Sequence, residues 1–193
     1  MHQFVKKNHS TEIMSLRIGR EVAEQLKEEA GDEYITLNVL ANHIFTNYIE
    51  WVRDAKKEGF VLITKNVLVA LVEKLDDKEI EEIARTIGKN AVKAQIIYME
   101  KKYDIDAFLR WLEIWCKASG FGKKHLISSD IHTYIIQHSM GIKWSLYFMM
   151  QIRSILEELL QKKVDFDITP STVTFNVTMD ESNRSIDLIV KQY

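Results

Sequence analysis

Apolar and polar positions alternate along residues 11–18 and then change to helical spacing. In this first segment Met14, Leu16 and Ile18 lie on one side and the residues between them on the other, as in a β-strand whose side chains alternate between two faces. Residues 20–30 follow a glycine and carry a narrow apolar stripe at intervals of four, which is typical of an amphipathic helix. The pattern predicts a short strand that leads directly into a helix.

A second helix is predicted to begin behind Thr36, because threonine favours the N-cap position. The apolar positions of this helix are Leu37, Leu40, Ala41, Ile44, Phe45, Tyr48, Ile49, Trp51 and Val52. They cover a wider arc than one neighbouring helix can bury. Residues 11–53 therefore have more apolar surface than they can cover by themselves, which predicts pairing with a second copy of the chain.

A polar break at Lys56–Gly59 marks the predicted domain boundary, with one domain over residues 1–58 and another over residues 59–193. The second domain begins with three predicted helices: residues 65–74, residues 77–98 behind a capping box at 76–79, and a helix to Cys116 that Asp104 or Asp106 caps.

The remaining pattern predicts a small sheet around one long helix. Residues 132–138 have an extended pattern, and residues 142–162 are apolar nearly all round, which indicates a buried helix. Residues 164–168 and 173–177 alternate on either side of a proline-containing turn, so we expect two paired strands, to which residues 186–190 could add an edge strand. The predicted fold class is α+β, mainly helical, with a small antiparallel sheet.

The composition is typical of a globular intracellular protein. Of the 193 residues, 46% are hydrophobic and one is a proline, which argues against long disordered segments. The single cysteine, Cys116, excludes an internal disulfide framework and a zinc site built from several cysteines. No apolar run approaches the roughly 20 residues of a membrane-spanning helix, and the first residues lack the apolar core of a signal peptide. We therefore expect a cytoplasmic protein that does not associate with membranes.

Motifs for catalysis or cofactor binding are not found in the sequence. It contains no glycine-rich phosphate loop and no nucleophile motif, so we expect neither an enzyme nor a bound cofactor. His125, His132 and His138, together with Cys116, raise the question of a metal site. On a single strand, however, His132 and His138 would lie roughly 20 Å apart, whereas ligands must lie about 2 Å from a metal. We therefore expect no metal site within one subunit.

Two features of the second domain leave alternatives open. Residues 138–141, His-Ser-Met-Gly, are either an ordinary strand-to-helix turn or a catalytic or anion-binding turn. Trp144, Tyr147 and Phe148 belong either to a hydrophobic core or to a small-molecule pocket. Effector sensing, further oligomerisation and docking of a partner protein all remain open for this domain.

Residues 15–22, Ser-Leu-Arg-Ile-Gly-Arg-Glu-Val, belong to an ordered series of a strand, a tight turn, a helix, a glycine-bearing loop and a polar cap that opens a second helix. Over residues 10–53 this series resembles the ribbon-helix-helix family, the Arc/MetJ class of repressors. The resemblance implies a homodimer, with higher oligomers left open, in which one strand from each subunit pairs into an antiparallel ribbon. Such a ribbon fits the major groove of double-stranded DNA, and Met14, Leu16 and Ile18 would face the shared core.

The resemblance also implies which side chains contact the bases from the outer face of the ribbon. Ile13 would touch a thymine methyl group, and Ser15 would make a single hydrogen bond. Arg17 would bind guanine O6 and N7 with both arms of its guanidinium group, a contact worth about 1–3 kcal/mol of discrimination.

Contacts with the DNA backbone are implied at the start of the second helix, where free amides and the positive end of the helix dipole attract phosphate. The residues implied are Thr36, Leu37 and Asn38, with added charge from Lys6, Lys7 and Arg20. The whole chain has a formal net charge of -2, which argues against a uniformly basic surface. In residues 1–20, however, four basic residues oppose one acidic residue.

The favoured interpretation is therefore a homodimeric, sequence-specific DNA-binding transcriptional regulator. One alternative is an antitoxin-type DNA-binding protein, which the folded pattern of the C-terminal part disfavours. Another is a dimeric sensor or interaction protein that uses the ribbon only for assembly.

Overall fold

The computed structural model describes residues 11–161 and 163–178 of the chain. It divides between Thr46 and Asn47 into two compact units, of which the second is the larger. This division falls within a run of consecutive helical segments. It lies earlier in the chain than the predicted boundary between residues 58 and 59, which stays a prediction about functional domains.

In the first unit, two helices follow a segment that has no regular secondary structure. Residues 11–19 form no strand, α1 extends over Arg20–Asp32, and α2 extends over Leu37–Asn47. All strands of the described residues lie in the second unit, so the ribbon-helix-helix assignment is not shown. A strand obtains its ladder of hydrogen bonds from a neighbouring strand, which in a ribbon belongs to another subunit. The strand over residues 11–18 therefore stays a prediction about a dimer.

The second unit begins in helical turns that follow α2 directly, a π-helical turn at Tyr48–Val52 and then α3 at Arg53–Ala55. Its further helical segments are α4 (Lys65–Val72), α5 (Asp77–Ile87), a π-helical turn (Gly88–Val92), α6 (Lys93–Glu100), α7 (Ile105–Ala118) and α8 (Ile142–Leu160). The helices predicted for this unit are thus confirmed, except that the π-helical turn interrupts the helix predicted over residues 77–98. Within the described part of the chain, no helix is both long and apolar enough to cross a membrane.

Side-chain caps explain where two of these helices begin. The Glu79 amide donates to Asp76 Oδ1 at 2.9 Å, and the Asp76 amide donates to Glu79 Oε2 at 2.8 Å, which confirms the predicted capping box. Asp104 Oδ1 accepts from the Ala107 amide at 2.7 Å. Asp104 and not Asp106 is therefore the cap of α7.

Four antiparallel strands form one sheet in the order β1-β2-β4-β3. The strands are β1 (Gly122–Ser128), β2 (Ile131–Gln137), β3 (Phe166–Ile168) and β4 (Thr172–Thr178). The predicted β3–β4 hairpin and the strand near residue 132 are confirmed, and β1 was not predicted. Residues 186–190 lie outside the described residues. The observed architecture confirms an α+β fold, mainly helical, with a small antiparallel sheet.

One face of this sheet packs against α7 and α8 and forms the core of the second unit. The largest fully buried side chains of the core are Ile96, Phe108, Leu112, Ile136, Phe148, Ile152, Ile155, Leu156, Val173, Phe175 and Val177. Trp144 and Phe148 belong to this core. The aromatic group near the start of α8 is therefore packing surface, which is the first of the two predicted alternatives.

Candidate nucleic-acid interface

The segment before α1 exposes both of its predicted faces. Ser15 and Arg17, on the predicted base-reading side, are exposed, and Ile13 is fully exposed. On the predicted inner side, Leu16 is 57% exposed and Ile18 is 52% exposed. Large apolar side chains in open solvent are costly, at about 25 cal/mol for each Å² that a partner could cover. The segment therefore has an apolar side that is available for burial.

The two helices behind this segment bury very little by themselves. Within residues 11–46, the buried apolar residues are Ala30 and Leu40. Exposed apolar side chains of the same helices are Val22, Val39, Ile44 and Phe45. A groove of about 290 Å³ lies between the helices, with Val22, Leu40 and Ile44 among its lining residues. So small a core offsets little of the conformational entropy lost on folding, so the unit needs further apolar contacts.

The N-terminus of α2 has the geometry of a capped helix start. Thr36 Oγ1 accepts from the Val39 amide at 3.3 Å, and Thr36 O accepts the first helical bond, from the Leu40 amide at 3.0 Å. The amides of Leu37 and Asn38 precede that first bond, as the leading amides of every helix do. The predicted cap is confirmed, while phosphate contact at Thr36, Leu37 and Asn38 stays a prediction.

The basic residues of the predicted interface differ in their surroundings. Arg20 begins α1, and its Nε lies 3.2 Å from Glu24 Oε1 in an exposed pair one helical turn apart. Such a surface pair contributes only a few tenths of a kcal/mol, and phosphate contact by Arg20 stays a prediction. Lys6 and Lys7 lie outside the described residues.

The turn at residues 138–141 is held by a buried hydrogen-bond chain. The Met140 amide donates to His138 Nδ1 at 3.1 Å, so in the neutral imidazole the proton is on Nε2, which lies 3.0 Å from Ser145 Oγ. The Ser145 hydroxyl then donates to Thr169 O at 2.6 Å. Because His138 Nε2 donates in this chain, it cannot accept a proton from Ser145, and Ser145 is 0% exposed. The chain is therefore a structural support for the turn and not a nucleophile with its base.

Stability should depend on pH through this histidine. Burial lowers the pKa of His138 below its ordinary value of 6.5, and Lys65 lowers it further. As the pH falls below 6.5, the unfolded chain binds a proton that the folded chain does not, so the free energy of unfolding declines until the folded pKa is reached. Urea denaturation at pH 7.5, 6.5 and 5.5 measures this decline, which should be smaller in His138→Gln than in the unaltered chain.

Two comparisons isolate the contribution of His138. His125→Gln should also make the decline of the free energy of unfolding with falling pH smaller, because partial burial, His132 and Lys123 lower the pKa of His125. A third variant, His43→Gln, replaces an exposed histidine and measures the effect of a histidine-to-glutamine substitution by itself. If the free energy of unfolding of His138→Gln declined with pH as steeply as that of the unaltered chain, His138 would not be a source of the pH dependence.

From the sequence, His132 and His138 are considered together on one strand, but in the structure His132 lies next to His125. His138 is hydrogen-bonded to Ser145, while the pairing of β1 with β2 places His125 beside His132. Burial raises the pKa of Cys116 to about 12, which keeps its thiol protonated. Among residues 11–161 and 163–178, no three His, Cys, Asp or Glu side chains form a group that could hold a metal ion.

Neither the protein-family models nor the curated proteins with which the chain was compared include a match to it.

Proposed function

We propose that the protein is a homodimeric, sequence-specific DNA-binding transcriptional regulator. The observation that supports the proposal is the exposed apolar side of residues 13–18 next to two helices with a very small core. A second copy of the same segment carries the same alternation, so the two segments can pair about a two-fold axis with like faces together. Pairing would bury Met14, Leu16 and Ile18 and would satisfy the backbone groups of both strands.

The proposed ribbon presents its opposite side to DNA. Ile13, Ser15 and Arg17 lie on that side in each subunit, and all three are exposed in the single chain. Arg17 carries the strongest potential for base recognition, because its planar guanidinium can make two parallel hydrogen bonds with guanine. Two paired segments would form a ribbon that is narrow enough to enter the major groove of DNA, which is roughly 12 Å wide.

Backbone contacts complete the proposed interface. The amides of Leu37 and Asn38 at the start of α2 would bind a phosphate without any net positive charge on the domain. Arg20, Lys6 and Lys7 would add electrostatic attraction that depends on salt. This arrangement makes the formal net charge of -2 compatible with DNA binding, because most of the attraction comes from one end of the chain.

Selection from random double-stranded oligonucleotides with the full chain tests the proposal, because a dimeric ribbon should enrich a site with two related halves. Arg17→Ala removes one bidentate base contact from each half-site, worth about 1–3 kcal/mol each, so it should lower affinity for the selected site at least about 30-fold. Binding to unrelated DNA should change little. Both affinities are measured by fluorescence anisotropy at several salt concentrations.

Two variants serve as controls for Arg17→Ala. Lys6→Ala should weaken binding to all DNA alike and reduce the slope of log affinity against log salt concentration by about two, one for each subunit. Arg85→Ala removes an exposed arginine of the second unit and should change neither affinity. A chain that dimerises tightly yet enriches no sequence would overturn the proposed function.

A further inference from the structure

Two histidines meet on neighbouring strands at the edge of the sheet. His125 lies on β1, the edge strand, and His132 lies on β2. In the register His125 is opposite Tyr134 and Ile127 is opposite His132, so the two histidines are diagonal neighbours on the same face. Their facing nitrogens, His125 Nε2 and His132 Nδ1, are 3.1 Å apart.

The position of the His125 ring is set by a stack of aromatic rings. Its centroid lies 4.3 Å from that of Tyr134, with the two planes only 8° apart. Tyr134 is itself buried and stacks against Phe175 at 5.2 Å on the next strand. The imidazole is thus placed by packing that reaches into the core, and its approach to His132 does not depend on a chance orientation of a surface side chain.

The separation of the two nitrogens suits a shared metal ion. Two imidazole nitrogens bound to one zinc ion at about 2.0–2.1 Å are about 3.3 Å apart at a tetrahedral angle and about 2.9 Å apart at a right angle. The observed 3.1 Å lies between these values. An ion bound by both nitrogens lies beside the line that joins them, which a rotation of the His132 side chain would accommodate while the His125 ring keeps its stack on Tyr134.

We propose that His125 and His132 form a chelating site for a divalent transition metal ion of the class that prefers imidazole, such as Zn²⁺ or Ni²⁺. The ion takes the place of the proton that the two rings share in the hydrogen bond. For both nitrogens to bind the ion, His125 carries its proton on Nδ1 and His132 carries its proton on Nε2. Between neutral rings this requires only a change of tautomer, and no net proton is released.

The surroundings favour the neutral rings and a partly open site. Partial burial lowers the pKa of His125, as do His132 and Lys123, while Glu113 on α7 acts in the opposite direction. Lys123 is paired with Glu113 at 3.0 Å. Since the described residues offer no third His, Cys, Asp or Glu ligand, water or an external ligand completes the coordination. Imidazole ligands select Zn²⁺, Ni²⁺ and Cu²⁺ over Mg²⁺ and Ca²⁺, which prefer oxygen.

Calorimetric titration of the metal-free full chain with Zn²⁺ at pH 7.5 tests the proposal. We expect one equivalent to bind, with no comparable binding of Mg²⁺. The His125→Asn/His132→Asn variant should lose this equivalent, and each single substitution should weaken it, because chelation needs both rings. The matched control replaces the three histidines of the first unit, as His2→Asn/His9→Asn/His43→Asn, and should keep the equivalent.

Two further measurements distinguish the loss of zinc binding from the loss of folding. Circular dichroism of every variant establishes that it is folded, and Zn²⁺ should raise the melting temperature of the unaltered chain and of the control but not of the His125→Asn/His132→Asn variant. Binding that survives the loss of both residues, binding that disappears in the control, or no binding by the unaltered chain would each overturn the proposal.

Discussion

Leu16→Glu is expected to convert the protein to a monomer and to lower its affinity for the selected DNA site at least about 100-fold, a change of roughly 2.7 kcal/mol. In the proposed ribbon Leu16 of each subunit faces the shared core, so a two-fold dimer would have to bury two carboxylates close together. Burial of an unpaired charge costs far more than the leucine contributes. Sedimentation velocity measures the oligomeric state, and fluorescence anisotropy measures the affinity.

Leu62→Glu is a matched control for this substitution. Leu62 lies in the second unit and is fully exposed, whereas Leu16 is 57% exposed. If general stickiness of exposed leucines caused association, Leu62→Glu would have at least as large an effect as Leu16→Glu. We expect Leu62→Glu to leave the dimer and its DNA affinity unchanged. A Leu16→Glu variant that remains dimeric and binds DNA normally would refute the ribbon.

Helix positions could be predicted because their signals are local. The capping box at residues 76–79 is formed as predicted, and Asp104, one of the two caps that the sequence left open, begins α7; each cap involves residues three apart. The β3–β4 hairpin was also predictable, since its alternation and its turn are adjacent in the chain. Hydrogen bonds and packing that depend on nearby residues leave a pattern that the sequence shows directly.

Strand β1 could not be predicted in the same way. It is an edge strand, and its sequence, Gly-Lys-Lys-His-Leu-Ile-Ser, groups polar and apolar residues instead of alternating them. The His125–His132 contact depends on the register between β1 and β2. Because that register joins residues through a turn at 129–130, spacing along one strand could not indicate it. From the sequence, a metal site is rejected because of the distance between His132 and His138, which is not the pair that the structure brings together.

The candidate DNA interface was predicted mainly from resemblance and not from composition. The structure places Ile13, Ser15 and Arg17 at the surface and forms the cap at Thr36. It describes a single chain, however, and the predicted strand needs the backbone of a second chain for its hydrogen bonds. Local sequence pattern can show that such a segment has one apolar face, whereas its pairing depends on the assembly.

A glycine in the helical region shows the same contrast between local preference and packing. Gly88 begins the π-helical turn after α5, where glycine disfavours a helix by about 1 kcal/mol relative to alanine. The structure explains its presence, because α5 and the turn pack against α8. A Cβ atom at Gly88 would lie 2.4 Å from Ser154 Oγ and 3.0 Å from Gln151 O. Ser154 can rotate away, but the Gln151 carbonyl belongs to the helix backbone.

Gly88→Leu is therefore expected to lower the free energy of unfolding of the protein by about 3 kcal/mol, at the upper end of the cost of overpacking. Gly88→Ala should cost less, because better helix propensity offsets part of the clash. The control is Gly31→Ala in α1, where an added Cβ meets nothing within 4 Å in the described chain, and where up to about 1 kcal/mol of stabilisation is expected. Chemical denaturation followed by circular dichroism measures all three variants. If Gly88→Ala stabilised the protein as much as Gly31→Ala, α8 could not approach Gly88 as closely as these distances require.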